Sequence, residues 1–455
     1  MILPTIEKAH DLFDIEKKQQ NETLASDSKL LHLDDLIHSD SYKQWAPIIL
    51  SKCMHGMDKQ AAPCMKEANM IEAQELIYPA FRLKLPTFVH SSMKTMWITH
   101  CRLDNRWRIL TDHLWANFAV FRGQNIIFSN AAYRGDPPPD IWSHNACMGT
   151  NASYMSFLHD LDGNVTEQTN DISVDTLVIA TTPDSWSFQH FMDRVVAVWS
   201  QAQLVIPTTA KKDTVIISGE TPRDAIVNEL YDLIAGQHFH NLKSVYAKRL
   251  VFSCRAPLFH PFTTMRITET IFQSLPPSSS SQRNVILFLS RSIGGKTRNG
   301  GRQLLNEVEV MKAISAMLNA TGRPEQLQYF HHDEFNGLED IATFMRDRVK
   351  MMIGPHGAAF YNSRFAQPRT AVIEIIPDPE KFFSPCFWSQ ARLLGQDYSV
   401  HIGTTQNDAL DMTLDDIDSV VQLVQDRLVY LDNSYRVQDA LLHTYDWDTE
   451  VRPED

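Results

Sequence analysis

Apolar residues change their spacing along this chain, and the spacing sorts it into elements. Beyond about residue 280, short unbroken apolar runs alternate with stretches whose apolar positions return every three or four residues. The runs at 284–290, 327–330, 351–354, 371–376 and 398–402 predict buried strands. Between them, 304–318 (Leu304, Val308, Met311, Leu318), 338–349 and 386–394 carry helical spacing, and a short helix begins at Ala358. Thr413-Leu414-Asp415-Asp416 reads as the capped start of a last long helix running to about Leu431. Strands without polar alternation, separated by helices, predict a parallel sheet covered on both faces.

The first half is less regular. Residues 1–45 are polar and read as a peripheral arm with one short amphipathic helix at 30–37. The segments 115–122 and 125–129 flank Gly123-Gln124 and predict a hairpin, and Pro137-Pro138-Pro139 marks a loop. A strand at 175–181, a helix at 187–205, a strand at 213–219 and a helix at 223–234 again predict a parallel sheet. Leu275-Pro276-Pro277, then serines at 278–281, is linker chemistry. The expected organisation is the arm (1–45), an α/β domain (46–277), a doubly wound α/β domain (282–435) and a tail (436–455).

Composition narrows the class. At 455 residues, 43% hydrophobic and 21% charged, the chain has enough apolar material for two cores and is not a disordered protein. A formal charge of −13 opposes general nucleic-acid binding. No stretch has the ~18 apolar residues of a membrane span, and Met1–Gln20 lacks the apolar core of a signal peptide. That alone points to the cytoplasm. Against it stand four Asn-x-Ser/Thr sites, at Asn21, Asn151, Asn164 and Asn319, and an even set of cysteines: Cys53, Cys64, Cys101, Cys147, Cys254 and Cys386. Their spacing fits no zinc pattern, and a pair such as Cys53–Cys64 would need an oxidising compartment. Composition leaves the compartment open.

The chemically richest stretch is Ile353-Gly354-Pro355-His356-Gly357-Ala358-Ala359-Phe360-Tyr361-Asn362. A strand that stops at small residues and feeds a helix start leaves backbone N–H groups to meet a phosphate. The structural alternative is that its glycines serve only the turn. Arg291, at the carboxyl end of the first strand after the linker, is placed to enter a ligand crevice, and its guanidinium suits a diphosphate; a loop arginine on the surface is the alternative. Gly294-Gly295-Lys296-Thr297 has the tail of a phosphate-binding loop, but Ser290 stands where that loop needs its first glycine. Asp160 and Asp162 form an Asp-x-Asp that reads as a solvated turn beside Gly163, and His331-His332-Asp333 as a polar loop. His190 and Asp193, three apart near a helix start, share a face and could act as a general base and its partner, or Asp193 could simply match the helix dipole.

Taken together, four motifs resemble glycosyltransferase family 61, which holds plant xylosyl- and arabinosyltransferases and protein-directed GlcNAc transferases, the EGF-domain-specific branch being nearest in look. They are Ser187-Phe188-Gln189-His190-Phe191-Met192-Asp193; Ile286-Leu287-Phe288-Leu289-Ser290-Arg291 with Asn306-Glu307; the Gly354-to-Ala359 turn with Asn362; and Val372-Ile373-Glu374-Ile375. The resemblance covers about 175–405 and leaves the first 150 residues unmatched. It implies a GT-B fold, two Rossmann-like doubly wound domains facing a cleft. It also implies an inverting, metal-independent transfer of GlcNAc or xylose from a UDP-sugar to a hydroxyl of a protein or glycan, with no cofactor, nucleic acid or membrane span involved. Arg291 and His356 would touch the donor, with Asn306 and Glu307 in the cleft wall and Gly354, Gly357, Ala358, Asn362 and Glu374 completing the donor side. The 46–277 domain would take the acceptor, with Asp193 as base and His190 beside it. Family members favour the Golgi or endoplasmic reticulum lumen, with the cytoplasm as alternative here. The chain departs from the pattern in its long glycine-rich stretch between Arg291 and Asn306, in Ala359 where a second glycine is usual, and in Glu339-Asp340 where a glutamine is common. A catalytically silent module of the same fold is the rival reading. The joint presence of His190, Asp193, Arg291 and His356 argues against it, since a binder has no use for an acceptor-side pair.

Overall fold

A computed structural model describes residues 45–51, 70–79, 83–103, 121–134, 172–180, 187–206, 214–218, 225–235, 237–240, 244–254, 256–257, 259–278, 283–293, 301–405 and 409–433. All belong to one compact unit, Tyr42–Asp455. The expected arm, its short helix, the triple-proline loop, the tail, Asp160, Asp162 and Gly294 to Thr297 lie outside the described residues.

The strands before the linker form one seven-stranded sheet: β1 (Ile48–Ser51), β2 (Met70–Tyr78), β3 (Phe121–Arg134), β4 (Ile172–Ile179), β5 (Thr214–Ser218), β6 (Gln237–His240) and β7 (Ser244–Cys254), in the order β1-β2-β3-β7-β4-β5-β6. The predicted parallel pairing holds across β7, β4, β5 and β6, while β1, β2, β3 and β7 pair antiparallel. The expected hairpin at Gly123-Gln124 is not there. Both residues lie inside β3, Gly123 opposite Leu76 and Gln124 opposite Glu75. Glycine is needed for a different reason: a Cβ on it would stand 1.9 Å from Oε1 of the buried Gln201. That amide accepts from Tyr78 Oη (2.9 Å) and donates to Ser253 Oγ (2.8 Å) and Cys254 O (2.9 Å), so it sews β2 to β7 through the space the glycine leaves.

After β2 comes α1 (Ser91–Leu103), and beside the first sheet lie α2, α3 (Ala225–Ile234) and α4 (Pro261–Ser274). α2 is the expected 187–205 helix, built from Phe188–His190, a π-helical turn at Phe191–Val195, and Val196–Ala202. His260 caps α4, its Nδ1 accepting from Phe262 N (3.2 Å) while Nε2 faces Pro79 O (2.8 Å). Burial pushes this histidine down to about 3, so it stays neutral, as one accepting and one donating nitrogen require.

The strands after the linker form a second sheet: β8 (Val285–Phe288), β9 (Gln326–Tyr329), β10 (Val349–Pro355), β11 (Ala371–Ile376) and β12 (Asp397–Ile402). Its order is β12-β11-β10-β8-β9 and every pair is parallel. β8 and β11 are buried throughout, as their unbroken apolar runs require, whereas the edge strand β9 alternates. The chain enters at β8, steps outward to β9, then crosses back to β10 on the other side. The order therefore reverses between β8 and β10, and in open α/β sheets ligands bind outside the carboxyl ends of the strands at such a reversal.

The covering helices are α5 (Glu307–Ala320), α6 (Leu338–Arg348), α7 (Cys386–Leu393) and α8 (Ile417–Asn433), with a short 3-10 helix at Ala358–Phe365. α8 starts after Asp416, whose Oδ1 accepts from Ser419 N (3.0 Å), while Thr413 pairs with Thr404. One connection was not legible in the sequence. The 83–103 segment, from the first half of the chain, docks on the second sheet: Thr87 N donates to Tyr398 O (3.0 Å), Trp388 Nε1 to Lys84 O (2.8 Å), and Trp97 packs edge-on against Trp388 at 4.9 Å. It covers the β12 edge that would otherwise be open to pairing. No described helix is long and apolar enough to cross a membrane.

Candidate active site

The loops after β8 and β10 meet at the reversal of the second sheet. Ser290 lies two residues past the end of β8; its Oγ lies 2.8 and 2.9 Å from the two carboxylate oxygens of Glu307 and accepts from Ser292 N (2.9 Å) and Ile293 N (2.8 Å). Glu307 is buried at the head of α5, and burial raises its carboxyl above the ordinary value against the lowering effect of Ser290. The sequence placed it in the cleft wall; the structure makes it the anchor of the loop that carries Arg291.

Arg291 is buried at 8% exposure and joins three pieces of chain. Its Nε donates to Gly301 O (3.0 Å) and its Nη1 to His356 O (3.3 Å). Gly357 makes room for it, since a Cβ there would lie 2.7 Å from Nη1. Gly354 answers a different constraint, because a Cβ on it would lie 2.6 Å from Leu289 O on the neighbouring strand. Burial, and then the charge of Arg302, lower the guanidinium to about 10, partly offset by Asp411.

Arg302 is the residue that sequence reading missed. It follows Gly301, and both occupy the left-handed region, at φ 64 and 82. A non-glycine residue held there stores roughly 1–3 kcal/mol, a cost concentrated at functional sites. Its guanidinium lies over the Phe382 ring at 4.8 Å, and its buried Nε has no hydrogen-bond partner among the described residues. Burial lowers its pKa, against the opposing charges of Glu374 and Cys386. A buried Arg291 whose charge Arg302 disfavours, beside an Arg302 with an orphan donor, makes an arrangement that an anion would stabilise. The signal in the sequence was the glycine-rich stretch before Asn306, read there only as a departure.

His356, at the end of β10, is buried and flanked by Phe382 at 4.9 Å and Phe387 at 5.0 Å. Its Nδ1 hydrogen-bonds the Glu374 carboxylate, which also accepts from the Tyr398 hydroxyl. Glu374 has no exposed surface, so it meets no ligand directly and reaches the site through its bond to His356 and its charge on Arg302. Gly357 and Ala358 open the short helix, and Asn362 lies within it. Asn362 Nδ2 donates to Ala359 O (3.0 Å) and its buried Oδ1 has no partner among the described residues. Asn306 is tied away, donating to Leu414 O (2.9 Å) and accepting from Leu414 N (3.1 Å).

On the other side, Ser187 caps α2 by accepting from His190 N (3.3 Å), and Phe188 packs 6.5 Å from Phe365 of the short helix. The first turn of α2 thus stands against the element that follows His356. Asp193 falls within the π-helical turn, three residues after His190. The Asp193 side chain lies outside the described residues. Single π turns inside α-helices recur at functional sites.

The second sheet thus brings Arg291 and Arg302 together where its strand order reverses between β8 and β10. The family model described as Glycosyltransferase 61 matches residues 188–373, from the first residue of α2 to the middle of β11, and this match over part of the chain supports a glycosyltransferase. A comparison with curated proteins returns no match. Among solved structures, two variants of a flavo di-iron protein from Thermotoga maritima align over 84% of this chain and 99% of theirs, at 9% and 10% identity. Their TM-scores of 0.21 and 0.22 are too low to support a likeness of fold.

Proposed function

We propose that the chain is an inverting transferase of the GT-B type that moves a sugar from a UDP-sugar to an acceptor hydroxyl without a metal. The observation that carries this reading is the convergence of Arg291, Arg302 and the His356 turn at the strand-order reversal of the second sheet, within the region of the family match. In this reading the diphosphate lies between the two guanidinium groups, the Nε2 edge of His356 and the N–H groups that open the short helix. The first sheet supplies the acceptor side through the start of α2. Asp193, with His190 beside it, takes the proton of the acceptor hydroxyl. The acceptor oxygen then bonds to the anomeric carbon as that carbon's bond to the diphosphate breaks, and the bond's electron pair leaves on the phosphate oxygen.

Identity of the sugar rests on the resemblance alone, which favours GlcNAc or xylose. A lumenal setting draws support from Cys254, at the end of β7, which is disulfide-bonded to a cysteine outside the described residues. The testing experiment is calorimetric titration of UDP into the full chain with and without EDTA. Binding that survives EDTA is expected; binding lost with EDTA overturns the metal-free reading, and an absence of binding overturns the UDP site. An Asp193→Asn variant is expected to bind UDP normally and to lose transfer, and normal transfer by it would remove Asp193 as the base.

A further inference from the structure

Behind His356 lies a buried polar stack whose other two members, Glu374 and Tyr398, the reaction scheme above leaves unused. Glu374 on β11 is in register with Gly354 on β10 and Val400 on β12. His356 lies two residues beyond Gly354, and Tyr398 two residues before Val400, so all three side chains belong to the same face. The carboxylate of Glu374 binds the ring of His356 through one oxygen and the hydroxyl of Tyr398 through the other. Glu374 is fully buried, and Tyr398 is 1% exposed. Burial, followed by the charge and hydrogen bond of Glu374, holds the Tyr398 hydroxyl well above its ordinary value. Tyr398 therefore stays protonated and donates. An ionised Glu374 is an acceptor alone, so with Tyr398 donating to one oxygen the bond at the other asks for Nδ1–H of His356.

We propose that Glu374 and Tyr398 are positioning residues that hold His356 with Nδ1–H turned to the carboxylate and Nε2 turned to the departing diphosphate. This rests on the donor reading given above. A ring hydrogen-bonded to an oxyanion at each nitrogen carries both hydrogens, so the bound state is an imidazolium between two anions. The buried carboxylate supplies the counter-charge at the back, and the diphosphate at the front gains a charged donor beside Arg291. Removing one member leaves another buried polar group without its partner, so the three act as a unit.

The test is a mutant cycle in the full chain, read by calorimetric UDP affinity, with thermal unfolding as a control for folding. His356→Gln and Glu374→Gln are each expected to weaken UDP binding about 10- to 100-fold, the range for a lost hydrogen bond to a charged group. Tyr398→Phe is expected to weaken it about two- to fivefold. The deciding variant is the double substitution. If Glu374 acts through His356, adding Glu374→Gln to His356→Gln costs no further affinity; additive losses overturn the proposal. A second reading needs no ligand and no folded variant of Glu374. In protein labelled with 15N-histidine, the His356 signals, assigned by their absence in His356→Gln, should show a protonated Nδ1. An unprotonated Nδ1 overturns the seat even if UDP binds. If the parent chain fails to bind UDP, the donor reading falls and the spectrum alone decides the seat.

Discussion

Gly354 and Gly357 stand in one turn, and a methyl group added to each should do different damage. At Gly354 the new Cβ meets a backbone oxygen, Leu289 O, on a central strand that cannot yield. Gly354→Ala is expected to cost about 1–3 kcal/mol in urea unfolding, the usual cost of overpacking a core. At Gly357 it meets the end of the Arg291 side chain, which can swing aside. Gly357→Ala should keep its stability and lose about tenfold in UDP affinity, roughly one good hydrogen bond to a charged group. Equal loss of stability in both variants would show that the backbone, not Arg291, sets the need for glycine at 357. Arg302 gives a converse case. Its left-handed backbone is strained for arginine but not for glycine. Arg302→Gly should leave the unfolding midpoint unchanged or higher while UDP binding falls at least about tenfold, by scanning calorimetry and titration. A lower midpoint would mean that the guanidinium serves the fold. The sequence marked both glycines as turn residues and Arg291 as a ligand residue. It could not show that Gly357 exists for Arg291, because they are separated by more than sixty residues and meet only across strands.

Elements were legible in proportion to how much their own sequence decides them. The strands and helices after the linker follow from unbroken apolar runs and 3.6-residue spacing, and they fall within a few residues of expectation. Gly123-Gln124 misled because a glycine between two apolar runs looks the same whether it turns the chain or admits a distant side chain. The π turn of α2 has no periodic signature, since it is one displaced turn in an otherwise helical pattern. α8 carries an ion-pair cluster near its last residue. Near its end, Asp432 accepts from Arg323 (2.6 Å) and Lys350 (2.6 Å), and both bases also bind Glu325 (2.8 and 2.7 Å). Burial pushes both carboxyls up, but hydrogen bonds and charge from Arg323 and Lys350 outweigh it and hold both below their ordinary values. Stability from this cluster is therefore present in full above the unfolded carboxyl values and is lost as pH falls through the folded ones. The unfolding midpoint should decline as pH drops below about 4, and Asp432→Asn should start lower at neutral pH and decline less. Parallel curves for parent and variant would show that the cluster adds nothing to folding.

The whole molecule is held by links that neither half carries alone. The 83–103 segment closes the edge of the second sheet, and α4 touches the short helix through Thr268 Oγ1, which donates to Arg364 O (3.4 Å). The disulfide at Cys254 fixes the end of β7, a strand central to the first sheet. Reducing agent should lower the stability of the intact chain by about 2–4 kcal/mol in urea unfolding, and an unchanged midpoint would show that the bond is dispensable. Local periodicity and short motifs were enough to indicate the α/β class, the parallel second sheet and the resemblance that the family match over 188–373 supports. Three-dimensional packing was needed to show that half the first sheet is antiparallel, that Glu307 binds Ser290 and Asn306 binds Leu414, that Arg302 joins Arg291, and that Tyr398 and Glu374 stand behind His356. Each of these depends on which strands become neighbours, and strand order is set by packing among distant segments that no local pattern records.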